Sequence, residues 1–572
     1  MARTRTMVLA AIAVAATALP ARAQVSEARI QELIKQASER MAIQVGTQTP
    51  QPATAAGQNR PVVALSLEDA VKLALDRNLD IAVQRLNPEI NDIAIASAQA
   101  VYNPTLTSTI GPSSRSTLPT SQLQLAQGGG TTVTSTMTYN GGLSQSIPWG
   151  GGSFVAQLNN SRATANPVSN NALFNPQITS NWSFSYLQPL LRNFNIDSTR
   201  RGIAVAKINR DISDVQLRAT ITNTLSNVRN AYWDYVFAVQ SVEVAQKSVD
   251  LGDQLVKDNQ TRVEVGTMAP IDVVQAQSQA ATARQNLAVA RQTMQTTELA
   301  LKRLIVSGTQ DPNWNAKIDP TDRPEFAVQA IDIDAAVRRA LNERTDLQIA
   351  KQNLASNDVT LKFLRDQLRP ATDLALTYNP QGVGGTELVR SNAAGQLGST
   401  ITDQINLGMA QAFSSLLQNQ YPIWSAQLNF SYPLGTSTQK ANIARANVQV
   451  NQVQAQVKQI ELQIATDVTN AAVTVQSNGD RVQAAQAARE LAQKQLEAEQ
   501  SKFEVGMSTN YNVIQSQRDL ATAQNNELQA VLNYRKSLVE LERLQQTTLQ
   551  NLNITVISTA GGGAPAATTA GQ

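Results

Sequence analysis

The sequence predicts a mixed α+β membrane protein built by internal duplication, in which long coiled-coil helices continue from strands of barrel-wall type. Three observations carry this expectation. One structural plan is written twice along the 572 residues. Apolar residues recur in steps of four and three over segments too long for a globular core. Short strands alternate aromatic residues with small uncharged polar ones.

The N-terminus reads as a secretory leader. Arg3 and Arg5 precede the 13-residue run Met7 to Leu19, and Ala21-Arg22-Ala23 places small residues where a signal peptidase reads them, predicting a signal peptide over 1–23. The run is too short to span a bilayer, which needs about 20 residues. No other uninterrupted apolar stretch of spanning length occurs, so entry into a membrane after export would have to use strands. Residues 24–61 read as a polar helix with a narrow stripe of Ile30, Leu33, Ile34 and Ala37, followed by a Pro/Gln/Thr linker.

Composition excludes several classes of function. The chain carries 47 basic and 44 acidic residues, and losing Arg3, Arg5 and Arg22 with the leader balances them at 44 each. No basic stripe for nucleic acid remains. Cysteine and histidine are both absent, which removes disulfides, the usual transition-metal ligands and the commonest general base. The charged residues form no clustered acid pair, so neither catalysis nor a cofactor is expected.

The duplication holds register at separated anchors. Leu67-Glu68-Asp69-Ala70-Val71-Lys72-Leu73-Ala74-Leu75 returns as Ile333-Asp334-Ala335-Ala336-Val337-Arg338-Arg339-Ala340-Leu341 at an offset of 266, kept by Asp80/Asp346 and Pro104/Pro370. Later the offset is 240, in Ile203-Ala204 with Ile443-Ala444, Asn230-Ala231 with Asn470-Ala471, and Glu264-Val265-Gly266 with Glu504-Val505-Gly506. The first repeat therefore spans 62–305, with strands in 103–190 and long helices in 197–305. A linker covers 306–330. The second repeat spans 331–548, with strands in 371–434 and helices in 437–548, and 549–572 holds a short strand and a Gly/Ala/Thr/Pro tail.

Within each repeat the order is short helix, strands, long helix, tight break, long helix. Ser66 with Asp69 predicts an N-cap, and the first helix is expected to run to about Tyr102 and stop at Pro104. Ile221, Leu225, Val228, Tyr232, Tyr235, Val239, Val242, Gln246 and Val249 mark a seam along a rod of about 65 residues and roughly 100 Å. Such a rod needs neighbours on both sides, and the segment after Gly266 supplies an antiparallel one. Periodicity alone also fits a structural coiled coil that braces the periplasm.

The strands separate these readings. In Asn181-Trp182-Ser183-Phe184-Ser185-Tyr186 and in Trp424 to Tyr432, aromatic and apolar side chains take one face and Ser, Asn and Gln the other. A soluble sandwich would show Lys and Glu on its polar face. Uncharged polar residues opposite aromatics suit a wall with lipid outside and water inside, Trp182, Phe184, Tyr186, Trp424, Phe430 and Tyr432 marking the membrane interface. The second repeat supplies two such strands, near Ala371–Tyr378 and Trp424–Tyr432. The first repeats that pair near Thr105–Ile110 and Asn181–Gln188, and adds Val133–Ile147 and Ser153–Asn160 around Gly150-Gly151-Gly152. Symmetry between the repeats favours leaving this inner hairpin outside the wall.

At this point the chain resembles the TolC-type outer-membrane efflux proteins, over roughly residues 62 to 550. The carriers are Leu65-Ser66-Leu67-Glu68-Asp69-Ala70, Tyr102-Asn103-Pro104, the Tyr186 to Leu191 passage with Gln188-Pro189-Leu190, and the Val265-Gly266 and Val505-Gly506 turns. The resemblance implies a homotrimer whose strands close one shared barrel in the outer membrane. Its helices would continue as a periplasmic tunnel, opened by docking to a periplasmic adaptor protein and an inner-membrane transporter. It implies adaptor contact at Val265, Gly266 and Thr267 and at Val505, Gly506 and Met507. It also implies an entrance lined by acidic residues after each turn. Asp272 matches in the first repeat, whereas Asn512 and Gln515 stand where the family places aspartates and Ser508 where it places a basic residue. Asp272 equally suits an ordinary first helical turn after Pro270. With 12 strands if the inner hairpin stays outside and 18 if it joins, the barrel's size stays open, as does the cargo.

Overall fold

The computed structural model describes residues 61–118, 131–168, 172–323, 326–391, 400–435 and 437–555. The expected leader, the polar segment up to residue 60 and the tail beyond 555 lie outside the described residues.

Each repeat begins with a broken helix. Ser66 caps α1 (Leu67–Arg77), its Oγ accepting from the Asp69 N–H at 3.1 Å. The expectation of one helix to Tyr102 is corrected at Asn78, where the backbone is extended and α2 (Leu79–Gln99) begins. Asn78 Oδ1 accepts from the N–H groups of Asp80 and Ile81 at 2.9 and 3.2 Å, and its Nδ2 donates to the Leu304 carbonyl at 2.9 Å. Asparagine competes with the helix for backbone N–H groups, so it starts a helix more readily than it continues one.

Strands then lead to the long helices. The first repeat adds β2 (Thr105–Thr117), β3 (Thr132–Ser146), β4 (Ser153–Asn166) and β5 (Phe174–Pro189), then α3 (Ser198–Glu264) and α4 (Pro270–Ile305). The second has α5 (Ile333–Glu343) and α6 (Thr345–Asp366), separated at the extended Arg344, then β7 (Ala371–Tyr378), β8 (Gln381–Arg390) and β9 (Ile401–Leu407). It continues through α7 (Gly408–Leu417) and β10 (Trp424–Ser431) to α8 (Thr438–Glu504) and α9 (Asn510–Leu544).

The rods pack as α3 along α4 and α8 along α9, with α9 also against α3. Ile221, Leu225, Val228, Tyr232 and Tyr235 are almost inaccessible, so the four-three seam is the packed face. Toward the far end Val239, Val242 and Gln246 are only partly covered. No helix among the described residues is long and apolar enough to cross a membrane.

Around the middle of the rods runs a belt. The strand β1 (Val62–Leu65) pairs in parallel with β6 (Lys317–Pro320), and Tyr232 ties it to α3 by donating to the Leu65 carbonyl at 3.0 Å and to Asp322 at 2.9 Å. Burial pushes the Tyr232 phenol well above its ordinary pKa, so it remains a donor. Beneath lies a buried ion pair, Lys302 to Glu298 at 2.8 Å, completed by the Ala316 carbonyl accepting from Lys302 and by the Ile318 N–H donating to Glu298 at 3.2 Å. The short strand expected at Asn553–Ile557 lies partly outside the described residues, within which Ile554 forms a single β-bridge. Thr548–Asn551 is a helical turn, and Ile554 packs on the same core as α1 and α3.

One antiparallel sheet forms the other end of the molecule, in the order β10-β7-β5-β4-β3-β2, with β8 on β5 above β7 and β9 on β8. The inner hairpin joins it, which corrects the expectation drawn from repeat symmetry. β3 pairs with β2 from Thr105↔Ser144 to Thr117↔Thr132 and with β4 from Val133↔Asn166 to Ser146↔Ser153. Its backbone groups are thus satisfied on both sides. No second sheet packs face to face on it among the described residues, so they form no sandwich.

The belt's ion pair generates a stability prediction. Lys302→Met should leave Glu298 buried and uncompensated, costing about 3–5 kcal/mol, whereas Lys302→Met with Glu298→Leu should recover most of the loss. Thermal unfolding followed by far-UV circular dichroism reads both variants.

Candidate functional site: hairpin tips and the apolar sheet face

The two tips share one geometry. After α3 the Thr267 N–H donates to the Arg262 carbonyl at 2.8 Å and the Gly266 N–H to Val263 at 3.0 Å. After α8 the Met507 N–H donates to Lys502 at 2.7 Å and the Gly506 N–H to Phe503 at 3.1 Å. This paired closure needs a left-handed residue just past the helix end, and Gly266 and Gly506 have φ of 75° and 78°. A Cβ at either would meet nothing within 4 Å, so conformation and not space selects glycine. The returning helices start on Pro270 in one tip and on Thr509, capping Asn512, in the other.

The residues singled out at the tips fall into two sets. Val265, Gly266, Thr267, Val505, Gly506 and Met507 are all exposed, with Val265 at 68% and Met507 at 77%. Ile271 and Tyr511, which sequence reasoning passed over, add to this apolar rim at the same position of the two repeats. Asp272 is half-buried and its carboxylate makes no ion pair among the described residues. Asn512 Nδ2 donates to Ser508 Oγ in the tip turn at 3.3 Å, and Gln515 Nε2 donates to Asp519 along its own helix at 2.9 Å, so both amides are engaged within the chain.

Within the chain the tips are clasped by residues the sequence did not flag. Asn259 Nδ2 donates to Asn510 Oδ1 at 2.9 Å, and Asn510 Nδ2 to the Asp272 carbonyl at 3.1 Å, with both asparagines buried. Arg262 lies over the Phe503 ring, 4.5 Å from its centroid, and donates to the Phe503 carbonyl at 3.2 Å. Leu255, Ala276, Phe503, Val513 and Ile514 form the small core behind them. Only the pairing of a buried amide with its partner distinguishes Asn259 from the many exposed asparagines, and that pairing is invisible in one dimension. Outside the clasp, Glu499 accepts from Lys502 and from Ser508, both at 2.7 Å.

At the opposite end, register places Trp424, Tyr378, Phe184, Ala156 and Leu143 in one row and Leu376, Tyr186 and Phe154 in the next. Trp182 stacks on Phe184 at 5.7 Å on the same face, which also holds Phe430, Leu106 and Ile110. Tyr432 lies just past the end of β10. The reverse face carries Thr107, Thr109, Asn140, Gln157, Asn159, Ser183, Ser185, Gln427 and Asn429.

The clasp and the Glu499 contacts predict how the tip responds to substitution and to pH. Asn259→Ala leaves the buried Asn510 Oδ1 without its donor, at a cost of about 1–3 kcal/mol, and should widen the distance between spin labels at Val265→Cys and Val505→Cys. Lys502 and Ser508 hold the Glu499 carboxylate below its ordinary range. Its contribution is therefore present at neutral pH and lost only as pH falls through that lowered value, so the same distance should stay constant from about pH 8 down to pH 5.

Comparison with known proteins gives this geometry its context. No curated protein matches the chain in sequence. Solved structures share its fold. The CmeC outer membrane channel of Campylobacter jejuni aligns with a TM-score of 0.58 at 14% identity, over 85% of this chain and 88% of that one. VceC, an outer membrane protein of Vibrio cholerae, gives 0.56 at 14%, over 84% and 95%. The MtrE outer membrane channel of Neisseria gonorrhoeae gives 0.56 at 15%, over 84% and 88%. The sequence model of the outer membrane efflux protein family matches residues 70–306 and 336–545, one segment in each repeat. With both repeats covered, the chain belongs to the outer membrane efflux protein family.

Proposed function

We propose that this outer-membrane efflux protein works as one third of a trimeric exit duct, docked through its hairpin tips to a periplasmic adaptor and an inner-membrane transporter. The observation that carries the reading is the division of the molecule between two ends. One end is a sheet with an apolar aromatic face, a hydroxyl- and amide-lined reverse face and, among the described residues, an open edge on each side. The other is a pair of hairpins whose tips expose Val265, Ile271, Val505, Met507 and Tyr511. Open edges are not tolerated in hydrocarbon, and threefold closure removes them. The exposed apolar tips are surfaces that water alone does not favour.

In this reading the barrel wall spans the outer membrane, the rods enclose a water-filled path across the periplasm, and the tips form its entrance. The chain performs no chemistry: it supplies a route, and the transporter supplies the energy. Asp272 from three chains would meet near the axis, where a narrow throat focuses its field. Asn512 and Gln515 add no charge, so the second repeat contributes nothing to cation preference.

Two measurements test this function. A photo-crosslinker at Met507 should capture the adaptor in cells, whereas one at Leu428 should not; capture from both or neither contradicts docking through the tips. In planar bilayers, Asp272→Asn should weaken cation selectivity and block by multivalent cations relative to wild type. Unchanged selectivity would return Asp272 to a helix-start role.

A further inference from the structure

The inner hairpin gives the shared wall a size that the repeat symmetry does not suggest. Apart from Val155, which register places on the reverse face, its larger apolar residues continue the apolar face of the outer strands. Leu143 and Ala156 sit in the row of Phe184, Tyr378 and Trp424, and Leu158 sits beside Trp182. Its reverse face, Thr136, Thr138, Asn140, Gln157 and Asn159, continues the hydroxyl and amide lining. A hairpin folded into the lumen or out over the surface would need no such match on both faces.

The hairpin is also fixed at its turn. Gln188, at the end of β5, donates from Nε2 to the Gly150 carbonyl at 2.8 Å and accepts from the Tyr186 hydroxyl at 2.6 Å. Gly150 and Gly151 have φ of 67° and 68°, and a Cβ on Gly151 would lie 2.6 Å from the Asn193 carbonyl. Asn193 is held in turn by Asp366, which accepts from its N–H at 2.7 Å, and by Gln367, which donates to its Oδ1 at 2.6 Å. The turn is thereby seated in the junction between sheet and rods. Gln145 adds a bond from Nε2 to the Tyr102 carbonyl at 3.1 Å.

Among the described residues, what remains unpaired is the outer edge of β2 on one side and the outer edges of β10 and β9 on the other. Each neighbour along the path is antiparallel, so β2 and β10 run in opposite directions and can pair antiparallel between chains. Leu106 and Ile110 on β2 are 80% and 70% exposed, and Leu428 and Phe430 on β10 are 63% and 66% exposed, on the same face of the sheet.

Resting on the trimeric duct proposed above, we infer that each chain contributes six strand positions to the wall, with a second copy of the chain on each edge, closing an 18-stranded barrel. Barrel diameter grows nearly in proportion to strand number, so this exit is roughly half as wide again as one built from four strands per chain. Its lining of hydroxyls and amides discriminates little by charge. Cargo is sorted at the entrance, and the outer-membrane exit passes what the rods deliver, bulky cargo of either sign included.

The absence of cysteine makes a clean test possible. The whole chain carries a single bimane label at Leu143→Cys or Leu158→Cys in the inner hairpin, at Leu428→Cys as a lipid-facing reference, or at Gln157→Cys as a lumen reference. Each variant is reconstituted in phosphatidylcholine vesicles with and without brominated acyl chains. Quenching of Leu143→Cys and Leu158→Cys to the extent seen at Leu428→Cys, with Gln157→Cys unquenched, is the expected result. Quenching at Leu428→Cys alone overturns the six-strand wall and leaves the duct standing. Absence of quenching at Leu428→Cys overturns the membrane-wall reading and the six-strand wall with it.

Discussion

The organisation of this protein turns on unpaired backbone groups at the two ends of a single sheet. Each strand between β2 and β10 has neighbours on both sides, while the outer edges of β2 and β10 have none among the described residues. In water such edges would be hydrated. In hydrocarbon each unsatisfied N–H or C=O costs several kcal/mol. A chain whose sheet has one apolar face and one face of hydroxyls and amides is therefore incomplete alone, and the shared-barrel reading follows from that deficit more than from any single residue.

The rods answer the same problem on a different scale. One seam along α3 is covered by α4 and, nearer the sheet, by α1, α2 and the belt strands. Its far half is covered less completely, and there the α8–α9 hairpin is held by the asparagine clasp and by Arg262 over Phe503. The duplicated plan has diverged at these points. Asn259 of the first repeat stands where the second has Glu499, and Pro270 stands where the second has Asn510. The clasp can form between α3 and α9 but has no duplicate on the other side of the second hairpin. The two hairpins of one chain are bound more specifically to each other than a strict repeat would allow.

Much of the fold was legible in the sequence. The four-three spacing from Ile221 to Tyr235 identified the buried face of α3, and aromatic alternation identified β5 and β10. Three things were hidden. Asn78 and Arg344 split what periodicity joined, because periodicity registers which side is apolar and not where the backbone turns extended, at Asn78 with a side chain that captures the next helix's N–H groups and at Arg344 with no side-chain cap. β8 was missed because Gly382, Gly384 and Gly385 give it little strand propensity. Gly382 and Gly384 are glycines because α7 lies against them: a Cβ on Gly382 would reach within 1.9 Å of the Ala412 carbonyl. The inner hairpin was misjudged because repeat symmetry is an argument about ancestry, whereas pairing is decided by edges and faces. At the tips, glycine conformation was readable and partner identity was not.

The central claim is that the chain completes its sheet only with copies of itself, and its oligomeric state in detergent tests this most directly. Native mass spectrometry of the purified full chain should give a trimer, with no folded monomer surviving under conditions that preserve the sheet. A stable monomer that retains the strand content of the trimer would show that β2 and β10 need no partner, and would contradict the account.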